Sequence, residues 1–425
     1  MATFPPPNYV PTASAVPGIE VYMPAPPKPE AKKAVLDFKC PNCGATTAYS
    51  VADDGLRCEY CGYYEPPQRE VVGKGAQEFE FKVETLEQAQ QARGWGAARK
   101  VLQCQDCNAL TTLPVTSLTY TCPFCGSNKV IQQEAAQDAL RPRFLIPFQI
   151  TAEDCRPIAI EWLGSSWMTP GDLKRLASVA AFTPIYLPFW TFDAVTSADW
   201  RAQVGHTKTE SYYSGGERKT RTVTVWRRES GHARRTFDDL PVPGTRQISN
   251  LLLDRIKTYE LQALVSYDPQ YLAGMAAQAY DVELDAAWAV ARGEMREETR
   301  STCRGQASTS KIRNFSMTLD FSAESWRYVL LPVYIAVYRY GDAAYQVMLN
   351  GQTGVIAGQR PVDWTKVWLA IGALLAPGLL LGITGLITAV LGIGIVIGVV
   401  GFILLVIGAI VAFSIFRKAE ELDDV

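Results

Sequence analysis

The hydrophobic pattern divides the chain sharply. From Val367 to Phe416 no residue is charged. One bilayer span takes about 20 apolar residues, so an uncharged run of 50 positions predicts two spans joined by a short turn. We place them at 367–387 and 391–416, with the turn near Thr388. Upstream, three apolar runs share one look: Phe144–Ile150, Ile185–Phe192 and Val329–Tyr338. Each is β-branched and aromatic and is broken by one proline (Pro147, Pro188 or Pro332). They read as related sheet strands. Because proline lacks the ladder donor, the pattern predicts edges or bulges there. The last run continues through Tyr345–Leu349 and the Gly-rich turn Asn350-Gly-Gln-Thr-Gly354 into Val355, a β-meander pattern. Helical spacing appears over 170–180 and 283–301; in the second, Leu284, Trp288, Ala291 and Met295 share a face.

These patterns give a multidomain reading. Residues 1–34 carry nine prolines and are expected to be a disordered or polyproline arm. Two small β units follow at 35–68 and 99–132. Between them lies a linker, 69–98, with a capping-box helix from Thr85 to about Gly94 and Trp95 packed on a β unit. An α+β middle domain occupies 140–362. The transmembrane helical hairpin and a short acidic tail, 417–425, close the chain.

Net charge is −2, which provides no overall drive toward polyanions. Locally, 199–237 is basic, with Arg201, Lys208, Arg218, Lys219, Arg221, Arg227, Arg228, Arg234 and Arg235. Thr222–Trp226 alternates like a strand. Such a segment suits nucleic acid, anionic lipid headgroups or a plain solvated hairpin, and the residues alone leave all three open.

The cysteines carry the chemistry. Cys40 and Cys43 are followed after 14 residues by Cys58 and Cys61, and Cys104 and Cys107 after 14 residues by Cys122 and Cys125. Two C-x2-C pairs at this spacing suit one tetrahedral zinc ion, each pair on one tight knuckle. Gly44, Gly62, Asn108 and Gly126 follow the pairs, as a knuckle exit at positive φ requires. The reading is two structural zinc ribbons, with eight cysteine ligands and two Zn ions. Four thiolates close each site, so no water-bearing catalytic position is expected. Disulfides would need an oxidising compartment. Cys155 and Cys303 read as buried thiols.

No phosphate-binding loop, nucleophile elbow or zinc-protease motif is present. His206 and His232 are the only histidines and read as ordinary polar residues of the basic segment. No catalytic residue, small-molecule substrate or enzyme activity is expected. Lys366 precedes the first span, and Arg417 and Lys418 follow the second, so the positive-inside rule puts both termini in the cytoplasm. Reduced cysteine clusters require the same side. Six glycines between Gly382 and Gly401 offer small faces for helix packing, and Pro377 predicts a kink.

Together the cysteine pattern, Tyr186–Asp193, Tyr267–Gly274, Leu330–Tyr334, Asn350–Gly354 and the apolar tail resemble a bacterial family of membrane-anchored proteins with TFIIB-type zinc ribbons. Such proteins are often labelled as primosomal replication-restart helicases, but this chain has no ATPase motor. The resemblance implies association with phage-shock-type or SPFH-type membrane-stress scaffolds at the inner membrane. The expected function is a membrane-tethered adaptor that meets lipid and protein partners. The alternative is a membrane-held nucleic-acid-binding protein. An enzyme with an unrecognised site in the middle domain ranks third.

Overall fold

The computed structural model describes residues 9–12, 21–24, 38–67, 71–73, 79–80, 99–114, 122–125, 127, 129–133, 140, 142–173, 181–215, 217–341, 343–388 and 393–423. The N-terminal unit, residues 1–36, contains strands β1 (Tyr9–Thr12) and β2 (Val21–Pro24), paired antiparallel. Of the arm expected to be disordered or polyproline, these eight residues pair as strands and the rest lies outside the described residues. Tyr, Val and Thr favour a strand, and a two-stranded ribbon has only edges, where Pro11 and Pro24 are tolerated. The linker helix at 85–94 and Trp95 lie outside the described residues, as does most of the helix expected at 170–180.

In the second unit, β3 (Ala48–Ser50), β4 (Gly55–Arg57) and β5 (Tyr64–Glu65) form a small antiparallel sheet around the first cysteine group. The remaining strands are β6 (Phe79–Glu80), β7 (Arg99–Cys104), β8 (Leu110–Pro114), β9 (Val130–Gln133), β10 (Phe144–Leu145), β11 (Thr183–Ser214), β12 (Glu217–Pro243), β13 (Val265–Ser266), β14 (Ala276–Ala277), β15 (Ile312–Tyr340), β16 (Ala343–Asn350) and β17 (Ile356–Gly358). Among the described residues these twelve form one sheet, with the path β13-β10-β15-β11-β14-β8-β7-β9 and branches to the others. The second cysteine group therefore sits within the main sheet, joined where Ala277 meets Thr112.

The three proline-broken runs do lie side by side. Leu145 pairs with Leu330, and Leu330 pairs with Pro188. Pro188 and Pro332 stand within the sheet and not at its edges or bulges, which corrects the expectation, and Pro147 falls just past the end of β10. The carbonyls of Pro188 and Pro332 point away from the β11–β15 ladder, accepting from Gly244 and Gly351. In an antiparallel pair N–H and C=O of one residue face the same way, so each proline nitrogen also faces outward. Outside Pro188 the partner of β11 changes from β14 to β12, and outside Pro332 the partner of β15 changes from β10 to β16. Each missing donor falls in a gap where one neighbour has ended and the next has begun.

β11, β12 and β15 run on past this base as a three-stranded arm. A bulge separates base from arm at Phe192/Ala194. There Arg327, 1% exposed, pairs with Asp239 and lies 3.6 Å from Asp193, supplying the cation for these carboxylates. One arm face is covered by a helix, as the spacing predicted. After α1 (Ala152–Leu163) and α2 (Asn250–Ile256), α3 (Leu284–Gly305) buries Ala287, Ala291, Met295, Thr299 and Cys303. Opposite them are Ala198, Trp200, Ala202, Val204 and Ala233. Beyond Val204, β15 has ended and β11 and β12 continue alone to the turn at Gly215. The basic segment is thus a long hairpin.

The turn Asn350–Gly354 is tightly made. Buried Asn350 donates to the carbonyls of Ile256 and Thr258 and accepts from the amides of Gln352 and Thr353. At Gly351 any Cβ would stand 2.5 Å from the Phe148 ring, so only glycine fits.

Two apolar helices end the fold, α4 (Trp364–Ile387) and α5 (Ile393–Asp423). Their most apolar 18-residue stretches have mean hydropathies of 2.1 and 3.1, and only 11% and 17% of those stretches are buried within the protein. A soluble core helix would be covered, so these faces suit hydrocarbon. The helices exceed the expected spans at both outer ends, and the acidic tail is helical through Asp423. Close packing explains the glycines: a Cβ on Gly378 would lie 2.7 Å from Leu405 N, and one on Gly401 2.6 Å from Gly382 N.

Candidate metal centres

Each cysteine group is built from two knuckles of one design. The first cysteine of every pair donates its N–H to the carbonyl five residues on: Cys40 to Ala45, Cys58 to Tyr63, Cys104 to Ala109 and Cys122 to Ser127. At three of them the residue after the second cysteine (Gly44, Gly62 or Asn108) returns its N–H to the carbonyl of the first. That closure turns the exit residue to positive φ, 74° at Gly44, 73° at Gly62 and 62° at Asn108. Glycine adopts this conformation freely and asparagine tolerates it.

The knuckles face each other in pairs. Cys40 and Cys61 sulfurs are 3.4 Å apart, and those of Cys43 and Cys58 3.5 Å. In the second group Cys104 and Cys125 are 3.6 Å apart, and Cys107 and Cys122 3.5 Å. A four-coordinate ion with metal–sulfur bonds of about 2.3 Å needs sulfur–sulfur edges of about 3.8 Å. The observed edges lie a few tenths of an ångström inside that value. Within each group all four sulfurs fall within 4.8 Å of one another. Both four-cysteine groups therefore fit a metal ion.

The thiols of each group are shifted in opposite directions. Burial pushes Cys107 up to about 11 and raises Cys122. At Cys43 the Ala45 amide opposes, but contact with Cys58 and burial outweigh it and push the thiol up to about 12. Two thiols are lowered. The Cys58 thiol is lowered to about 7, chiefly by the amide of Cys61, with burial opposing and the Tyr60 amide adding. Cys104 is also lowered to about 7; burial opposes, and the amides of Cys107 and Asp106 outweigh it.

The two centres differ in setting. In the first, Cys43 and Cys61 are exposed, whereas in the second the corresponding Cys107 and Cys125 are half-buried. The β3–β5 sheet rests on the core through Tyr49 and Leu56. The Tyr49 amide donates to the Ala273 carbonyl, and its ring lies 5.2 Å from that of Tyr271. Gly274, at φ +77°, leaves room for Ala48. The Tyr267–Gly274 segment is thus the seat of the first centre, a role the sequence did not reveal.

Cys155 and Cys303 lie apart from both groups and are buried. Burial pushes the Cys155 thiol up to about 12. His206 and His232 both lie on the arm. His232 Nδ1 is 3.0 Å from Asp199, and its Nε2 is 3.5 Å from Ser197 Oγ. The order of contacts matches a serine-hydrolase relay, but Ser197 sits in a ladder between Arg234 and Asp320. Backbone amides committed to a sheet cannot converge on an oxyanion.

No known protein-family profile matches the chain, and no solved structure matches it. A relative in Bacillus subtilis (strain 168), the uncharacterized protein YdjG, is 26% identical over 341 residues, spanning 78% of this chain and 92% of the relative.

Proposed function

We propose that this chain is a membrane-tethered zinc-ribbon adaptor at the cytoplasmic face of the bacterial inner membrane. The observation that carries the reading is the placement of the anchor. Tyr340, the last residue of β15, bonds to Asp172, while Lys366 at the start of α4 donates to the neighbouring Thr169 carbonyl. The apolar helices thus leave from one end of β15, and the arm extends from the other. A 29-residue strand has a contour of roughly 90 Å. That geometry suits a spacer holding contact surfaces off a membrane.

Zinc is the ion of choice for the two four-cysteine groups, because four thiolates in a tetrahedral arrangement favour it and leave no open position. Both ions would be structural. Trp364 packs on Phe416 at 5.6 Å between ring centres, near Lys366, Arg417 and Lys418. An aromatic and basic band at one end of the hairpin supports termini on the cytoplasmic side. The contour of β15 also argues against the basic hairpin lying on the same membrane's headgroups.

The test is co-purification from native membranes in mild detergent, with and without nuclease. An adaptor retains a small set of proteins, phage-shock-type or SPFH-type scaffolds among those the family resemblance implies, under both conditions. Recovery dominated by nucleic acid, and lost at about 0.5 M salt as counterion release requires, would overturn the reading.

A further inference from the structure

The arm has an open edge. Among the described residues β12 pairs only with β11, and the hydrogen-bond phase shows which backbone groups are left outside. The Gly205 amide donates to Lys311 and its carbonyl accepts from Thr309. Gly205 therefore faces away from β12, and its partner Trp226 faces away from β11. By alternation Arg218, Thr220, Thr222, Thr224, Arg228 and Ser230 also turn both N–H and C=O outward. At the base the edge is closed, since Gln306 donates to the His232 carbonyl at 3.1 Å. The free stretch is about 40 Å long.

Its charge is predominantly positive. Arg218, Lys219, Arg221, Arg227 and Arg228 are exposed along it. Against them stand Glu217 and Glu229, and the Glu229 carboxylate is taken by Ser308 and His206. Edge cations hinder pairing of two copies of the same edge, since like charges would meet. They favour an acidic strand. A phosphodiester backbone would meet the cations but could not use the alternating donors and acceptors. Glu210, 3.4 Å from Arg221 and 3.9 Å from Lys208, further weakens a phosphate site.

We infer that the outer edge of β12, from Arg218 to Ser230, is a docking site that takes an extended acidic segment of a partner protein as an added β-strand. This rests on the adaptor reading and names the surface through which it acts.

The test uses the full chain in lipid nanodiscs and a fluorescent twelve-residue peptide of alternating Thr and Glu, read by anisotropy. Two comparisons separate backbone pairing from charge. One is a twin peptide with every second residue as its mirror image, equal in charge but unable to form a pleated edge. The other is the Thr224→Pro chain, which loses one outward N–H and no bond to β11. Saturable binding of the peptide is expected, weakened at least tenfold in the twin, in Thr224→Pro and in the double variant Arg221→Glu/Arg228→Glu. Unchanged thermal melting confirms that the variants fold. Equal binding of the twin, tighter binding of an oligothymidine of matched length, or no saturation by about 1 mM would each overturn the inference. Co-purification of partners by a chain that ignores the peptide would keep the adaptor reading and remove this edge from it.

Discussion

Replacing one cysteine in each centre should separate their structural duties. Consider Cys58→Ser and Cys122→Ser. A structural four-thiolate zinc site contributes about 10–16 kcal/mol of binding energy, so losing one ligand in four removes roughly a quarter, about 2.5–4 kcal/mol. A unit as small as β3–β5 has no core of its own to offset this. Released from its ion, the β3–β5 sheet withdraws Tyr49 and Leu56, both about 95% buried, from the core. At about 1.5–3 kcal/mol for each side chain, the upper limit of lost burial is about 3–6 kcal/mol. The loss stays local, because β3–β5 is a separate sheet. Cys122→Ser frees β7, β8 and β9, which belong to the main sheet, and exposes the β14 edge against Thr112. Leu102, Ala109 and Phe124 then leave the buried apolar cluster they share with Ile146, Ile185 and Leu331. Zinc per chain, measured by mass spectrometry after dialysis against a chelator that leaves two ions in the unaltered chain, should fall to one in each variant, because affinity at the altered site drops roughly 100- to 1000-fold. Limited proteolysis should cut the first variant only between about 38 and 67, and the second also in the middle domain. A variant that keeps two ions would refute the ligand assignment. Identical proteolysis patterns would refute the difference in duty.

Three further outcomes follow from the packing. Arg327→Met should destabilise the soluble part by about 3–5 kcal/mol in urea unfolding, because it strands the carboxylates of Asp193 and Asp239 without their cation; a loss below about 1 kcal/mol would contradict that pairing. Gly401→Leu should part α4 from α5 at a cost of about 1–3 kcal/mol in detergent unfolding, whereas Gly372→Leu should be silent because a Cβ there meets nothing. In native protein stripped by a chelator, a maleimide at pH 8 should label the exposed Cys43 and Cys61 before the buried Cys155 and Cys303; early labelling of either buried thiol would refute its burial.

Much of this architecture was legible because its signals are local. A cysteine knuckle is written within six residues, and an uncharged run of apolar residues needs no partner to be recognised. The α3 helix showed itself through Ala291 and Met295 at helical spacing. The arm did not, since its open face carries Thr, Ser and Arg where a buried strand would carry Val and Ile. Thr207 faces Thr224 and Thr209 faces Thr222, a pattern that favours strands without announcing their length. The α1 helix escapes a sequence reading because Pro157 interrupts its pattern, although Thr151 and Asp154 form a capping box. The prolines of β11 and β15 mislead because their tolerance depends on which strand lies beside them, a non-local fact. Asn350 reads in the sequence only as part of a turn; its clamp on Ile256 and Thr258 closes contacts over 90 residues of chain.

The continuity of β11 and β15 from base to arm has a mechanical consequence. Hinges in proteins are a few loop or element-terminal residues that absorb backbone rotation. Between the end near the apolar helices and the place where α3 packs, both strands run on without a loop. Their irregularities are β-bulges at Phe192/Ala194 toward β12 and at Asp193/Val195 and Arg201/Gln203 between β11 and β15. A partner pulling at the arm would load the ladder bonds of both strands together, in shear along the strand axis. Such a load spreads over many bonds at once, where a peeling load would break them singly. The arm should therefore behave as a lever that delivers force or torque to the roots of the apolar helices, with its bending concentrated at the bulges where it joins the base.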